Sequence, residues 1–385
     1  MSAESRPSAS PASAPVPAAG RADAARHLLR SHQIRESLAL ARQASPRNAL
    51  LAGVQAALTM AVALPLAYVS AWPHMVGFAS LGALVALFGR FAPPARRGRV
   101  VALCALCQCL AVLIMSTVVW LGTPLPVQLA LLALLCGLFF LATVSWRFGP
   151  PGALIFAFAA GASMGPVDAG WQIVERTAAT ALVAGLAWLV CASTEIVRRQ
   201  ATPEAPFPVE PARPLDHRLI AAARIAIGSA IAAFAADAMG AAHPAWAAMG
   251  ALAVMQGSHL HISMNRALQR MGGTLIGAAL VWLIMLQAPS VWTVIALLVV
   301  LQIVTEMVIG TNYAFGQITV TPMALLMSYL ASPSADGAGM ASERVLDTLI
   351  GISIGVVLAV LCSTMDDRVH LAHHHAARAR RPEEG

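Results

Sequence analysis

From about residue 48 to residue 363 the chain is one apolar stretch after another, each near the length of a membrane span and separated by short loops. A bilayer's hydrocarbon core is about 30 Å thick and takes roughly 20 helical residues to cross. Inside it every backbone N–H and C=O must be satisfied within the protein, so successive stretches of this kind can only become helices packed side by side. Composition agrees: 11% of the 385 residues are charged and 58% hydrophobic, against about 25% charged in a soluble domain. Mean hydropathy is +0.71. The expected fold class is an all-α integral membrane protein. The net charge of +7 is no sign of nucleic-acid binding, because the arginines gather in the short loops.

Counting stretches by length predicts about twelve spans, near 48–70, 74–91, 100–121, 126–146, 150–166 and 172–193, then 217–240, 244–261, 267–287, 290–310, 313–332 and 343–363. Pro and Gly punctuate the boundaries at Trp72-Pro73, Pro124-Leu125-Pro126, Gly149-Pro150-Pro151, Pro289-Ser290 and Ser332-Pro333. Six domains follow: a Ser/Ala/Pro-rich segment 1–20, expected to be disordered and without the apolar core of a signal peptide; a basic amphipathic helix, 21–47, lying on the inner leaflet; six spans, 48–193; a Pro-rich linker, 194–216; six more spans, 217–363; and a His/Arg-rich tail, 364–385.

Arginine placement orients the chain. The amino-terminal arm, the 90–99 loop, Arg147, the linker, Arg266 with Arg270, and the tail fall on one side; the other receives only Arg176 and Arg344. By the positive-inside rule both termini are cytoplasmic. All 25 basic residues are arginine, which with the alanine excess is the usage of a GC-rich bacterial genome, so the inner membrane is the expected location.

Landmarks recur between the halves at nearly one offset. Glu175-Arg176 returns as Glu343-Arg344, Trp72-Pro73 as His243-Pro244, Arg97 and Arg99 as Arg266 and Arg270, and Phe148-Gly149 as Phe315-Gly316. An even number of spans per half makes the repeats parallel, an arrangement used by transporters that bind solute between the halves.

The second half carries a recognisable run: His243-Pro244-Ala245-Trp246, then Asn265-Arg266-Ala267-Leu268-Gln269-Arg270 leading into Gly272-Gly273-Thr274-Leu275-Ile276-Gly277, then Asn312-Tyr313-Ala314, Thr321-Pro322, and Arg344 followed by Thr348 and Gly351. It resembles the fusaric acid resistance family, the aromatic acid exporters, over about 216–363, with 48–193 a degenerate copy. The resemblance implies inner-membrane, proton-driven export of small, often aromatic, carboxylates, and kinship with plant malate channels whose pore is lined by arginine. The chain is expected to lack the sizeable cytoplasmic domains that follow each six-span half of the longer exporters.

Charge inside a membrane is costly, so each intramembrane ionisable group is a functional candidate. Arg176 and Arg344, at matching positions, are expected to face each other across the repeat axis and bind a carboxylate bidentately; pairing with an acid on another helix is the competing account. Glu306 and Asp347 are the candidate proton carriers, with a proton moving opposite to the anion, or else structural partners of arginines. Arg224, Arg266 and Arg270 form a cytoplasmic vestibule or anchor the helices. The second and fifth spans of both halves, interrupted by Pro73, Pro150-Pro151, Pro244 and Pro322, are expected to line the path. Asn312, Tyr313, Gln317 and Thr321 supply its polar stripe, with interhelical hydrogen bonding as the alternative.

Gly273-xxx-Gly277 and Gly351-xxx-Gly355 read as close helix packing, and Cys104 with Cys107 as inert packing thiols. No phosphate loop, nucleophile elbow or metal-ligand helix motif is present in the sequence. The expectation is therefore a non-enzymatic transporter without cofactor or metal. Its partners are a small organic anion, the lipid bilayer, and a second copy of itself or a periplasmic accessory protein. A passive anion channel and a non-transporting scaffold are the competing classes.

Overall fold

The computed structural model describes residues 20–22, 31–202, 206–207, 213–257, 260–331, 339–363, 368 and 371, of which 31–34, 261 and 339–344 are described by backbone alone. The expected disordered segment 1–20, save Gly20, and the tail, save two residues, lie outside them. The described residues are all-helical with no strand. In chain order the helices are α1 (Ser31–Leu38), α2 (Pro46–Val69), α3 (Val76–Ala83, between 3₁₀ turns Pro73–Met75 and Leu84–Leu87), α4 (Pro94–Trp120), α5 (Leu125–Trp146), α6 (Leu154–Ala162), α7 (Gly170–Ser193), α8 (Leu215–Ala238), α9 (Ala245–Met255), α10 (Leu260–Met285), α11 (Val291–Val308), α12 (Tyr313–Ala331) and α13 (Gly339–Leu361).

Eight of these are long and apolar enough to cross a membrane: α2, α4, α5, α7, α8, α10, α11 and α12. Their ends follow local chemistry. Ser45 caps α2 by accepting from the Asn48 N–H, and Pro46 occupies the first turn, where its missing N–H costs nothing. Ser290 caps α11 through Thr293 N–H, and Arg147 closes α5 in the left-handed region at φ 55°. Leu134, Val174, Leu182, Ile227 and Leu275 point outward, the apolar exterior a bilayer requires.

Three other helices, α3, α6 and α9, are short and enclosed. Proline delays the start of α3, α6 and α9, and Gly89, at φ +70°, turns the chain just beyond α3. Every residue of α3, and of α9 from Ala245 to Val254, is buried. Broken backbone at membrane depth is tolerated only inside protein, and these segments fill the middle of the bundle. The expectation of interrupted second and fifth spans therefore meets short helices in α3, α6 and α9, but α12 runs continuously through Pro322. There α10 holds it closely: a Cβ on Gly273 would lie 2.5 Å from the Ala314 carbonyl, and one on Gly277 2.8 Å from Thr321 Cβ. Gly351 likewise sits on the Ala247 carbonyl, joining α13 to α9.

Two broad contacts join helices α2–α7 to helices α8–α13, α2 on α11 and α5 on α8. Between them, at the centre, α12 meets α3 and α6 meets α9.

Within the amphipathic helix expected over 21–47, residues 21–22 and 31–38 are helical, 23–30 lie outside the described residues, and 39–45 form a non-helical strap. The strap is held by the second half: Gln269 donates to the Ser37 carbonyl (2.7 Å), Asn312 to those of Ser37 (3.0 Å) and Ala39 (3.1 Å), Gln43 to that of Met307 (2.7 Å), and the Ala41 N–H donates to the Thr311 carbonyl (2.7 Å).

Candidate anion site between the halves

A cavity of about 80 Å³ lies where α6, α9, α10, α11, α12 and the 3₁₀ turn after α3 converge, room for several ordered waters. Its wall is mostly apolar: Leu84, Leu87, Ile155, Phe158, Trp246, Met249, Met323 and Met327. Phe158 and Trp246, one from each half, lie 5.8 Å apart at 31° and give that wall an aromatic face. Four polar side chains enter it, Arg270, Gln302, Thr305 and Glu306.

Arg270 is 2% exposed. Its Nη1 donates to Tyr313 Oη (3.2 Å) and Gln317 Oε1 (3.4 Å), and its Nε has no hydrogen-bond partner. Among the described residues no carboxylate lies within ion-pair distance of it. Desolvating a guanidinium without a counter-charge costs several kcal/mol, a cost that an arriving anion repays. Gln302, fully buried, has neither its Nε2 nor its Oε1 hydrogen-bonded, so it too faces the cavity with donor and acceptor unused. Thr305 is spent, donating to Thr319 Oγ1 at 2.8 Å.

Glu306, 3% exposed, is neutralised from behind. Arg90, from the loop after α3, brings Nη2 to 2.5 Å from its Oε2. This is an ion contact without hydrogen-bond geometry, since that oxygen has no hydrogen-bond partner. Gly53 of α2 makes the approach feasible: a Cβ there would lie 3.0 Å from Glu306 Cβ.

The structure thus brings together Arg270, Tyr313, Gln317 and Glu306 of the residues singled out in the sequence. Thr321 is buried nearby with its hydroxyl unpartnered but does not line the cavity. Asn312 is engaged elsewhere, donating to the strap and accepting from the Ala314 N–H (2.8 Å). Arg176 donates to the loop carbonyls of Gly165 (3.2 Å) and Pro166 (2.6 Å) and lies over the Phe78 ring at 4.9 Å. The side chain of Arg344 lies outside the described residues. Asp347 is buried on α13, and Arg224 and Arg266 are half-buried on α8 and α10; none of the three lines the cavity.

Sequence reasoning missed Gln302, Arg90 and the Phe158–Trp246 pair. For Gln302 the signal was present: it precedes Glu306 by four residues in an otherwise apolar helix, which puts both on one face. Arg90 read as loop charge, and its pairing across the halves is visible only in three dimensions.

A bundle with eight helices long and apolar enough to cross a membrane is a multi-pass membrane protein. Residues 231–358 match the family described as fusaric acid resistance protein-like, which bears out the resemblance over the second half. The chain is also similar to "uncharacterized membrane protein YvaC" of Bacillus subtilis (strain 168), 32% identical over 135 residues. That match takes in 34% of this chain and 21% of YvaC. No solved structure matches.

Proposed function

We propose that this chain is an inner-membrane transporter that exports small organic anions, aromatic carboxylates first, with both termini cytoplasmic. Its architecture is two parallel repeats of six membrane helices. The reciprocal contacts support this: the fourth helix of each half packs on the first of the other, and the fifth on the second. The anion binds between the repeats at Arg270, its ring against Phe158 and Trp246, and the transport step couples to a proton at Glu306. Arg176, at the far end of α7, remains the charge for an anion leaving on the other side, with Arg344 as its counterpart. The observation that carries the reading is the buried guanidinium of Arg270, without a carboxylate partner among the described residues, on a largely apolar cavity.

The deciding experiment is uptake of labelled 4-hydroxybenzoate by proteoliposomes under an imposed pH gradient with the membrane potential clamped at zero, beside protein-free vesicles. Accumulation above those vesicles that collapses with the gradient, and in Arg270→Gln, is the expected result. Flux that follows voltage and ignores the pH gradient would favour a passive channel. No added flux for any carboxylate would sink the transport reading.

A further inference from the structure

The cavity carries one uncompensated charge. Among its described lining residues only Arg270 and Glu306 are ionic. Glu306 is cancelled by Arg90, which stands behind it and does not itself line the cavity. The other groups around Glu306 are neutral: Gly53 from α2, and Gln302 and Thr305 from its own helix. Arg270 meets only the phenol of Tyr313 and the amide of Gln317.

We propose that Glu306 sets the charge of the accepted ligand: by neutralising Arg90 it leaves a single positive charge in the cavity, so the site takes monocarboxylates and rejects dicarboxylates of similar size. The inference rests on the anion reading above and adds selectivity to it. A monocarboxylate at Arg270 closes the charge balance with its apolar body against the wall. A dicarboxylate strands its second charge in a low-dielectric wall beside the carboxylate of Glu306, a like-charge contact without a counter-ion. Neutralising Glu306 removes that repulsion and uncovers Arg90 as a second guanidinium, which reverses the discrimination.

The test compares benzoate with phthalate on the detergent-solubilised full chain by isothermal titration near neutral pH, where both phthalate carboxyls are ionised. Wild type should prefer benzoate by roughly tenfold or more, the scale expected of one charge at short range in a partly shielded interior. Glu306→Gln should shift the phthalate-to-benzoate ratio at least tenfold towards phthalate. The double variant Arg90→Gln/Glu306→Gln, which returns the cavity to one charge, should restore the benzoate preference. Equal affinity of wild type for the two ligands overturns the proposal without any variant, as does a ratio that stays the same across all three proteins. If Arg270→Gln abolishes benzoate binding while the ratio ignores Glu306, the charge filter falls and the anion site stands. If wild type binds neither ligand, both fall.

Discussion

Each half of the chain buries an arginine in a long helix, and the two are treated differently. Arg97 of α4, 3% exposed, donates to Glu195 (2.6 Å), to Gln55 Oε1 (2.8 Å) and to the Cys191 carbonyl (3.4 Å). Arg198 holds the same Glu195 from the other side at 2.5 Å. Arg270 of α10 has a phenol and an amide. The same residue type, similarly buried, is a structural tie where a carboxylate was supplied and the proposed binding group where neutral oxygens were. The buried arginine alone therefore identifies nothing; its partner set does.

The largest effect is expected where the tie is cut. Arg97→Leu leaves Glu195 to Arg198 and Gln200 and Gln55 Oε1 to the Cys191 thiol, and losing one charge-assisted and one neutral hydrogen bond costs about 2–4 kcal/mol. The purified protein should lose most of its thermal stability in detergent; an unchanged midpoint would erase the contrast between the halves. Acid probes the same tie. Burial pushes the Glu195 carboxyl up, but hydrogen bonds from Arg198 and Arg97 outweigh it and hold the group below its ordinary value of 4.5. A depressed carboxyl contributes stability above its unfolded value and loses it as pH falls through the folded one. The melting midpoint should therefore drop on acidification below 4.5, and drop less in Glu195→Gln.

Arg270→Gln should do the reverse. With no described carboxylate partner to orphan, and a buried charge removed, the midpoint should hold or rise, while benzoate affinity falls by about 10- to 100-fold, the worth of a charge-assisted hydrogen bond. A large fall in stability with affinity intact would make Arg270 a second structural tie.

Gln302→Leu sharpens the comparison with a neutral group. Replacing a buried, unsatisfied amide by an apolar side chain of similar size should stabilise by about 1 kcal/mol, whereas Gln108, whose Nε2 donates to the Leu81 carbonyl at 3.0 Å, should destabilise by a similar amount when changed to Leu. Opposite signs in the two melting midpoints are the expected result.

Much of the fold was legible in the chain, and the limits of that reading have physical causes. Apolar length and punctuation were enough for an all-helical membrane fold, because a bilayer leaves the backbone no alternative, though eight of the described helices, not twelve, are long and apolar enough to span. The close approach of α10 to α12 was legible in Gly273 and Gly277, since only a missing Cβ allows it. The role of each arginine was not. Arg97 and Arg270 carry the same charge at related positions, and what separates them is Glu195, far along the chain from Arg97 and brought to it by the end of α7. The recurrence of Arg176 in the sequence said nothing of its local partners: Nη1 and Nη2 donate to carbonyls of the adjoining loop, while its Nε has no hydrogen-bond partner.

The smallest expected effect concerns how each site is closed. The Arg97 end is sealed by the segment after α7, with Arg198 on Glu195 and Asn48 exchanging hydrogen bonds with the Arg199 backbone. The Arg270 end is sealed by the amino-terminal strap, whose bonds fall on Gln269, Met307 and Asn312, each one residue from a site residue. No charge takes part in those bonds, so the strap should open more readily than the ionic seal. Gln269→Ala removes one bond to the Ser37 carbonyl and no group that touches the cavity. A loss of about 1 kcal/mol raises the open population about fivefold, and cleavage that samples an opened segment follows that population. Trypsin should then cut at the exposed Arg42 about five times faster than in wild type, with the melting midpoint and benzoate affinity unchanged. Faster cutting accompanied by weaker benzoate binding would show that the strap holds the cavity in its binding geometry; an unchanged rate would show that the remaining bonds of the strap suffice without Gln269.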